Sequence, residues 1–451
     1  MVNINKNRKS AIFYTCGTCN LNCRYCGINK NAVLSEIDKA LAKSFEGDYY
    51  FQRVKEYFPR KDMLTEFQTW GGEPFLHMER IHNLLHQLIE YYPYLKEGYS
   101  STNFSFPNWN EKFFGLMDVF AAYPYRDFSY CLQLSVDGPT EINDAGRGEG
   151  VTEKCLNNFN VLIENLKNHR LADNIFLTIT LKGTLDNNTM QILDSKEKII
   201  EYYKFYEDNF IEPVMELNLP NVCILPGIPN TAVPSPVTVA QGKQFAKLVR
   251  LCRELEQENE TKGYLKYYQY ITPYHHGPQY NELTYNYSHY TCGTGDMNVG
   301  FLPDNMVSTC HEGFTQMVEE YQKVAAEQPN LASTITFDKF VNEQKVSLCA
   351  TDEQYAQHEY KMSLYNASNA TARLATNATL IVALALAGQI DRKYIHDEEA
   401  LRAAIFMQNH TSYCIKDNYN KTGSYTLQPV GLFKLLLNGA IDYIDIGDNN
   451  D

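Results

Sequence analysis

The stretch that decides the fold reads Ala11-Ile12-Phe13-Tyr14-Thr15-Cys16-Gly17-Thr18-Cys19-Asn20-Leu21-Asn22-Cys23-Arg24-Tyr25-Cys26. A strand-like apolar run opens it, and Cys19, Cys23 and Cys26 close it at spacings of three residues and then two. Thiolates this close in a chain with no secretory signal are expected to hold a metal or a cluster rather than disulfides. A four-iron cluster normally takes four cysteines. Three ligands would leave one iron free to coordinate what the protein activates. The alternative is a zinc site with Cys16 and Cys19 as one pair and Cys23 and Cys26 as the other, giving four thiolates in a closed tetrahedron. Such a knuckle normally stands as its own small unit, whereas these cysteines follow a strand and continue into a long mixed chain. Context favours the cluster and leaves Cys16 as a loop residue at the strand end.

Working outward, 451 residues can bury a large core and should hold two or three structural units. Twelve cysteines are too few for a disulfide scaffold of this size and fit a reducing cytoplasm. No N-terminal signal is visible, and the longest apolar run, 380–388, is far short of the roughly 20 residues a membrane span needs. A soluble, cytoplasmic protein without membrane contact is expected. The formal charge of -14 argues against nucleic-acid binding, which would require a basic face. The 33 tyrosines fit extended amphipathic surface, such as a groove for a polypeptide or the edge of a core.

From residue 11 to about 226, short apolar strands alternate with helical patterns, the signature of a parallel α/β sheet or barrel. Six strands are predicted: Ala11–Tyr14, Phe67–Trp70, Tyr99–Phe104, Leu132–Asp137, Ile175–Leu181 and Val214–Leu219. Between the second and third, Ile81, Leu84, Leu85, Leu88 and Ile89 repeat at helical spacing, as do Cys155, Phe159, Leu162, Ile163 and Leu166 between the fourth and fifth. Prolines at 226, 229, 234 and 236 mark a linker, and Phe245, Leu248, Leu251, Cys252 and Leu255 mark a helix after it. The resulting division is 1–226, a barrel; 227–291, linker and bridging helix; 292–350, a third region; and 351–451, a helical C-terminal region.

The C-x3-C-x2-C run with Tyr25 before its last cysteine resembles the hallmark of the radical S-adenosylmethionine (SAM) superfamily. Three further segments extend the resemblance in order. Trp70-Gly71-Gly72-Glu73-Pro74 resembles the family's GGEP motif, Ser101-Thr102-Asn103 its Thr-Asn element, and Ser135-Val136-Asp137-Gly138-Pro139 with Asp144 and Arg147 the S-x-D-G-P … D-x-x-R signature of its peptide- and protein-modifying subgroup. The resemblance implies a partial (β/α)6 barrel, a [4Fe-4S] cluster on Cys19, Cys23 and Cys26, and SAM as cosubstrate. It implies Gly71, Gly72 and Glu73 for the SAM amino group, and Thr102 and Asn103 for the ribose. Strand alternation puts Gln133, Ser135 and Asp137 on one face. Polar groups facing a barrel interior need a polar ligand, so Ser135 and Arg147 are candidates for the SAM carboxylate. Tyr25 is placed with the catalytic group.

A second cysteine group begins at Cys292. Twelve residues separate it from Asn305 and four separate Asn305 from Cys310, similar to the C-x(9-15)-G-x4-C hairpin of SPASM and twitch extensions, with asparagine in place of glycine. Both residues tolerate positive φ in a turn. The resemblance implies two ligands for an auxiliary cluster. The later run of four cysteines is absent from the sequence, which offers only Cys349 and Cys414. One auxiliary [4Fe-4S] cluster on Cys292, Cys310 and Cys349, completed by Cys414 or a non-cysteine group, is expected, with a cluster-free extension as the alternative. Cys155 and Cys252 lie on apolar helix faces, and Cys131 starts the fourth strand. Cys223 follows the predicted sixth strand and is a candidate hydrogen donor to a substrate radical. The expected activity is hydrogen abstraction from a peptide by a 5'-deoxyadenosyl radical, maturing a ribosomally made peptide with electrons from a flavodoxin or ferredoxin. A formylglycine-generating sulfatase maturase and a zinc-stabilised interaction protein are the alternatives.

Overall fold

The computed structural model describes residues 9–26, 33–226, 230–232, 239–262, 298–303 and 306–308, together with 314 and 318. Among these the strands are β1 (Ser10–Cys16), β2 (Glu66–Gly71), β3 (Glu97–Thr102), β4 (Phe128–Ser135), β5 (Ile175–Lys182), β6 (Thr184–Asp186), β7 (Val222–Pro226), β8 (Asn230–Ala232), β9 (Asn298–Phe301) and β10 (Val307–Ser308). Eight form one sheet in the order β10-β9-β1-β2-β3-β4-β5-β7, parallel throughout except for the β9–β10 pair. The short β6 and β8 pair with each other, also parallel.

Parallel neighbours need crossovers, and helices supply them: α1 (Val33–Ser44), α2 (Tyr49–Tyr57), α3 (His82–Tyr91), α4 (Trp109–Ala121), α5 (Thr140–Arg147), α6 (Val151–Lys167), α7 (Asn187–Ile192), α8 (Lys196–Tyr206), α9 (Glu212–Leu217) and α10 (Val239–Lys262). The fold is α/β, as expected from the alternation of patterns. Among the described residues no helix is long and apolar enough to cross a membrane.

Strand β1 is buried at every position, which explains its unbroken apolar run. Its two faces enter different cores. Ala11 and Phe13 join the main core with Tyr50, Val54 and Tyr57 of α2, and Phe13 stacks on Phe301 of β9 at 5.6 Å. Ile12 and Tyr14 point the other way, onto Leu34, Ile37 and Leu41 of α1 and onto Leu302, Met306, Phe314 and Val318. Each large apolar side chain covered this way contributes about 1.5–3 kcal/mol. The strand is therefore fixed from both sides just before the cysteines begin.

Five of the six predicted strands are present, with shifted ends; Val214–Leu219 is a correction. Its first residues are helical, in α9, and the sixth parallel strand of the series is β7. Pro213 sits in the first turn of α9, where its missing N–H is harmless and its φ is preset. Asn218 ends that helix in the left-handed region at φ 50°. The region around Pro226, read as linker, holds the end of β7 and then β8. The predicted hairpin between Cys292 and Cys310 contains β9 and β10, antiparallel with Phe301 opposite Val307, and β9 adds to the sheet beside β1. Cys292, Cys310, Cys349 and Cys414, the tyrosine-rich segment 263–291 and the predicted helical region 351–451 lie outside the described residues.

Candidate functional site

The loop carrying Cys19, Cys23 and Cys26 leaves the end of β1 and rests on the end of β2. Gly72 N–H donates to the Cys16 carbonyl at 2.9 Å and Glu73 N–H to the Thr18 carbonyl at 2.8 Å. A Cβ on Gly72 would lie 2.3 Å from the Thr18 oxygen, and one on Gly71 would lie 2.1 Å from the Cys16 oxygen, with Gly71 at φ +138°. What the paired glycines approach in this structure is the backbone of the cysteine loop. Behind it, Arg80 grips both Asp38 oxygens at 2.9 and 3.0 Å and also donates to the Thr15 carbonyl, while Gly17 N–H donates to Asp38. Burial raises the Asp38 carboxyl, but Arg80 and the Gly17 amide outweigh it and hold the group below its ordinary value.

Cys16 differs from the other three. It is fully buried, its Sγ donates to the Thr18 carbonyl at 3.2 Å, and burial pushes its thiol up to about 12. Its Sγ, an Asp38 oxygen and a His77 nitrogen lie within 4.8 Å of one another, yet Arg80 already occupies both Asp38 oxygens. Cys19 and Cys23 are half-buried and Cys26 is exposed. Two N–H groups face the Cys19 Sγ: Leu21 N at 3.4 Å and Asn103 Nδ2 at 3.5 Å. Donors aimed at sulfur, with Cys26 open to solvent, fit thiolates that ligate an iron–sulfur cluster.

Glu73 is 1% exposed and faces inward. One oxygen accepts from Phe75 N (3.1 Å) and the Thr102 hydroxyl (2.7 Å), the other from Asn103 N (2.7 Å). Burial pushes its carboxyl up to about 7 despite these donors. Thr102 in turn accepts from Phe104 N and the Trp109 indole. The Asn103 side chain bridges the strands: Nδ2 donates to Cys19 Sγ and Asn20 Oδ1, and Oδ1 accepts from Ser105. The structure thus brings Gly71, Gly72, Glu73, Thr102 and Asn103 together directly under the cysteine loop.

Beyond β4, Asp137 is 1% exposed. Its Oδ1 accepts from Arg147 Nη2 (2.7 Å) and Thr184 N (2.8 Å), and its Oδ2 accepts from the Tyr25 hydroxyl. Tyr25 lies under the Arg147 guanidinium, 5.7 Å from ring centre to carbon, and burial first, then Asp137, raises its phenol well above the ordinary value. Asn143 Oδ1 accepts from Asp137 N, and Asp144 caps the turn into α6 by accepting from Gly150 N and Thr152 N. Arg147 keeps one donor free: its Nε is buried without a partner among the described residues.

The polar face of β4 is largely satisfied by protein. The Tyr99 hydroxyl donates to Gln133 Oε1 and Gln133 Nε2 to the Ser101 hydroxyl, both at 2.7 Å. A ligand is therefore not required by Gln133 or Asp137. Ser135, half-buried, pairs in register with Lys182 at the strand end. Cys223 is relocated: it is the second residue of β7, in register with Thr178, which faces Cys131 on β4. That row continues through Tyr99 and Gln68 to Ile12, four residues before Cys16 or about 13 Å along a strand. Cys223 is exposed and its Sγ donates to Thr178 Oγ1 at 3.4 Å. Sequence reasoning missed Asn20, Arg24, Asp38, Arg80 and Asp186 as loop supports. Their partners are distant in the chain, so no local pattern marks them.

No family model matches the chain, and no curated protein matches it. Among solved structures it is similar to anSMEcpe, an anaerobic sulfatase-maturating enzyme, in its native form with bound AdoMet: 14% identity, TM-score 0.47, covering 98% of this chain and 100% of that one. The same enzyme with AdoMet and the Cp18Cys peptide matches at 13% identity and TM-score 0.46, over 98% and 99% of the two chains. SuiB of Streptococcus suis bound to S-adenosylmethionine matches at 14% identity and TM-score 0.38, over 68% and 59%. Both of these structural neighbours are radical SAM enzymes of the SPASM or twitch type.

Proposed function

We propose that the chain is a radical SAM enzyme, built on a partial (β/α)6 barrel with a SPASM- or twitch-like extension, that modifies a peptide or protein. Cys19, Cys23 and Cys26 hold the [4Fe-4S] cluster in this reading, and SAM binds beside it. The observation that carries it is the seat of the cysteine loop. Three thiols at C-x3-C-x2-C spacing stand at the end of a parallel strand, the Gly71–Gly72 turn presses against their backbone, and the Leu21 and Asn103 N–H groups face Cys19. When bound, the cluster and SAM supply one-electron reductive cleavage and a 5'-deoxyadenosyl radical that removes a substrate hydrogen.

The chain's own residues position and protect. Glu73 fixes Thr102 and the Asn103 backbone, which keeps the Asn103 amide on Cys19. Arg147, held by Asp137 over Tyr25, offers its buried Nε toward a carboxylate acceptor such as that of SAM. Ser135 supplies a hydroxyl at the end of β4. The substrate in this reading is a ribosomally synthesised peptide, and a cytoplasmic flavodoxin or ferredoxin supplies the electron.

The test is anaerobic reconstitution with iron and sulfide, then SAM and dithionite. Wild-type protein should release 5'-deoxyadenosine, and joint replacement of Cys19, Cys23 and Cys26 by alanine should abolish it. Cleavage that persists in the triple variant rules the assignment out. Cys16→Ala should leave cleavage largely intact, because its buried Sγ is turned to the Thr18 carbonyl and it stands outside the C-x3-C-x2-C spacing. Loss of the cluster in that variant would restore the four-thiolate zinc reading.

A further inference from the structure

We propose that Asp186 is a positioning residue for the cysteine loop, acting through Arg24. Its functional meaning rests on the cluster reading above; its test does not. Only Arg24 and Tyr25 stand between Cys23 and Cys26, and both are tied to buried aspartates. Tyr25 reaches Asp137, already part of the sequence signature. Arg24 reaches Asp186, which no motif marks.

The geometry divides one carboxylate between two tasks. Asp186 Oδ2 accepts from Arg24 Nε at 2.6 Å and Nη2 at 2.5 Å. Oδ1 accepts from Thr189 N and Thr189 Oγ1, both at 2.9 Å, capping α7. Asp186 is the anchored partner: 7% exposed, last in β6, and in register with Ala232 of β8, whereas the Arg24 side chain is 38% exposed. The Arg24 backbone is held as well, its N–H donating to the Gly146 carbonyl at 3.0 Å. With Asp186 removed, Arg24 turns to solvent, and the tie from the segment between two cluster ligands to the neighbouring elements rests on the Tyr25 hydroxyl and the Arg24 backbone, beside the local Cys26 N–H to Cys23 bond. Ligand spacing depends on this segment, so its stiffness governs how firmly the metal is held.

The experiment uses the full chain. Hydrogen exchange of the peptide spanning residues 19–26 reads the loop through two bonded amides, Arg24 N–H to Gly146 and Cys26 N–H to Cys23. Asp186→Asn and Arg24→Gln should each speed exchange there by roughly ten-fold, the size expected for losing a charged hydrogen bond. The double variant should be no faster than either single one. Thr189→Val, which disturbs the cap and leaves Oδ2 alone, should leave the loop unchanged. Unchanged exchange in both single variants, additive effects in the double, or an equal effect of Thr189→Val would each overturn the proposal. In reconstituted protein, iron release to a chelator should quicken in the same two variants by a similar factor. If wild-type protein takes up no cluster, the functional reading fails, and the exchange data still decide the role of Asp186.

Discussion

At Glu73 three donors converge on one carboxylate that water does not reach. Those bonds favour the anion, burial disfavours it, and burial prevails, with the carboxyl pushed up to about 7 against an ordinary 4.5. The sign follows from proton counting. Between 4.5 and 7 the folded protein binds more protons at this group than the unfolded chain, so stability falls as pH rises through that window. The full effect is about 3 kcal/mol, present below the window and gone above it. In Glu73→Gln this pH dependence should disappear, while the side-chain amide, a donor facing the Asn103 N–H, should lower stability overall by about 1–3 kcal/mol. Urea unfolding midpoints measured at steps across that window check both; a variant that keeps the wild-type slope would show that another group titrates. Arg147 belongs to the same scale. Alanine there would leave Asp137 buried without its counter-ion, a loss of about 3–5 kcal/mol. The sequence marked Glu73 and Arg147 as ligand-binding residues. It did not show that Asp137 and the Asn103 backbone already hold them: the Asn103 contact forms only when β2 and β3 lie side by side, and the Asp137 contact only when α5 folds back on the end of β4.

At the scale of elements, the decisive contact is backbone against backbone, where the end of β2 meets the loop leaving β1. Gly72→Ala should be severe, since its Cβ would fall 2.3 Å from the Thr18 carbonyl oxygen and 3.1 Å from Cys19 N. Neither atom is the end of a flexible side chain. The bonds from Gly72 N and Glu73 N to Cys16 and Thr18 must lengthen, and iron uptake on reconstitution should drop several-fold at matched helical content. Gly115→Ala in α4 is the control: its Cβ would meet only His82 Cε1 at 3.6 Å, and helix propensity predicts a gain of about 0.5–1 kcal/mol. Equal iron uptake by Gly72→Ala and wild type would remove the close approach from the account. Strands were legible where a run was apolar on both faces, as in β1, or alternated cleanly, as in β5, whereas the short apolar run of β7 was passed over. The misreading of 214–219 has a local cause: Pro213 and Asn218 are helix punctuation, yet the apolar residues between them also suit a strand. β6 and β8, three residues each, are too short to carry any period.

Across the whole molecule, β9 lies beside β1, joining the sheet that bears the cysteine loop to a hairpin nearly 300 residues later in the chain. Gly300 permits this approach, since a Cβ there would lie 2.4 Å from Ser308 Oγ and 2.9 Å from the Tyr14 hydroxyl. The hairpin itself was legible from spacing, whereas its seat on β1 was not, because register between distant strands leaves no local trace. The seat bears on the auxiliary site. Cys292 and Cys310 flank this hairpin in sequence, six residues before β9 and two after β10. The resemblance to SPASM and twitch hairpins implies that these two cysteines and Cys349, all outside the described residues, are cluster ligands, and thiolate is the ligand type an iron–sulfur cluster takes. The expected outcome is separable by counting iron. Protein lacking Cys19, Cys23 and Cys26 should retain about four irons and four sulfides per chain, the content of one cubane cluster, and lose them on further replacement of Cys292 and Cys310. A triple variant that purifies folded and free of iron would leave the hairpin as a structural edge of the sheet, and Cys292, Cys310 and Cys349 as ordinary thiols.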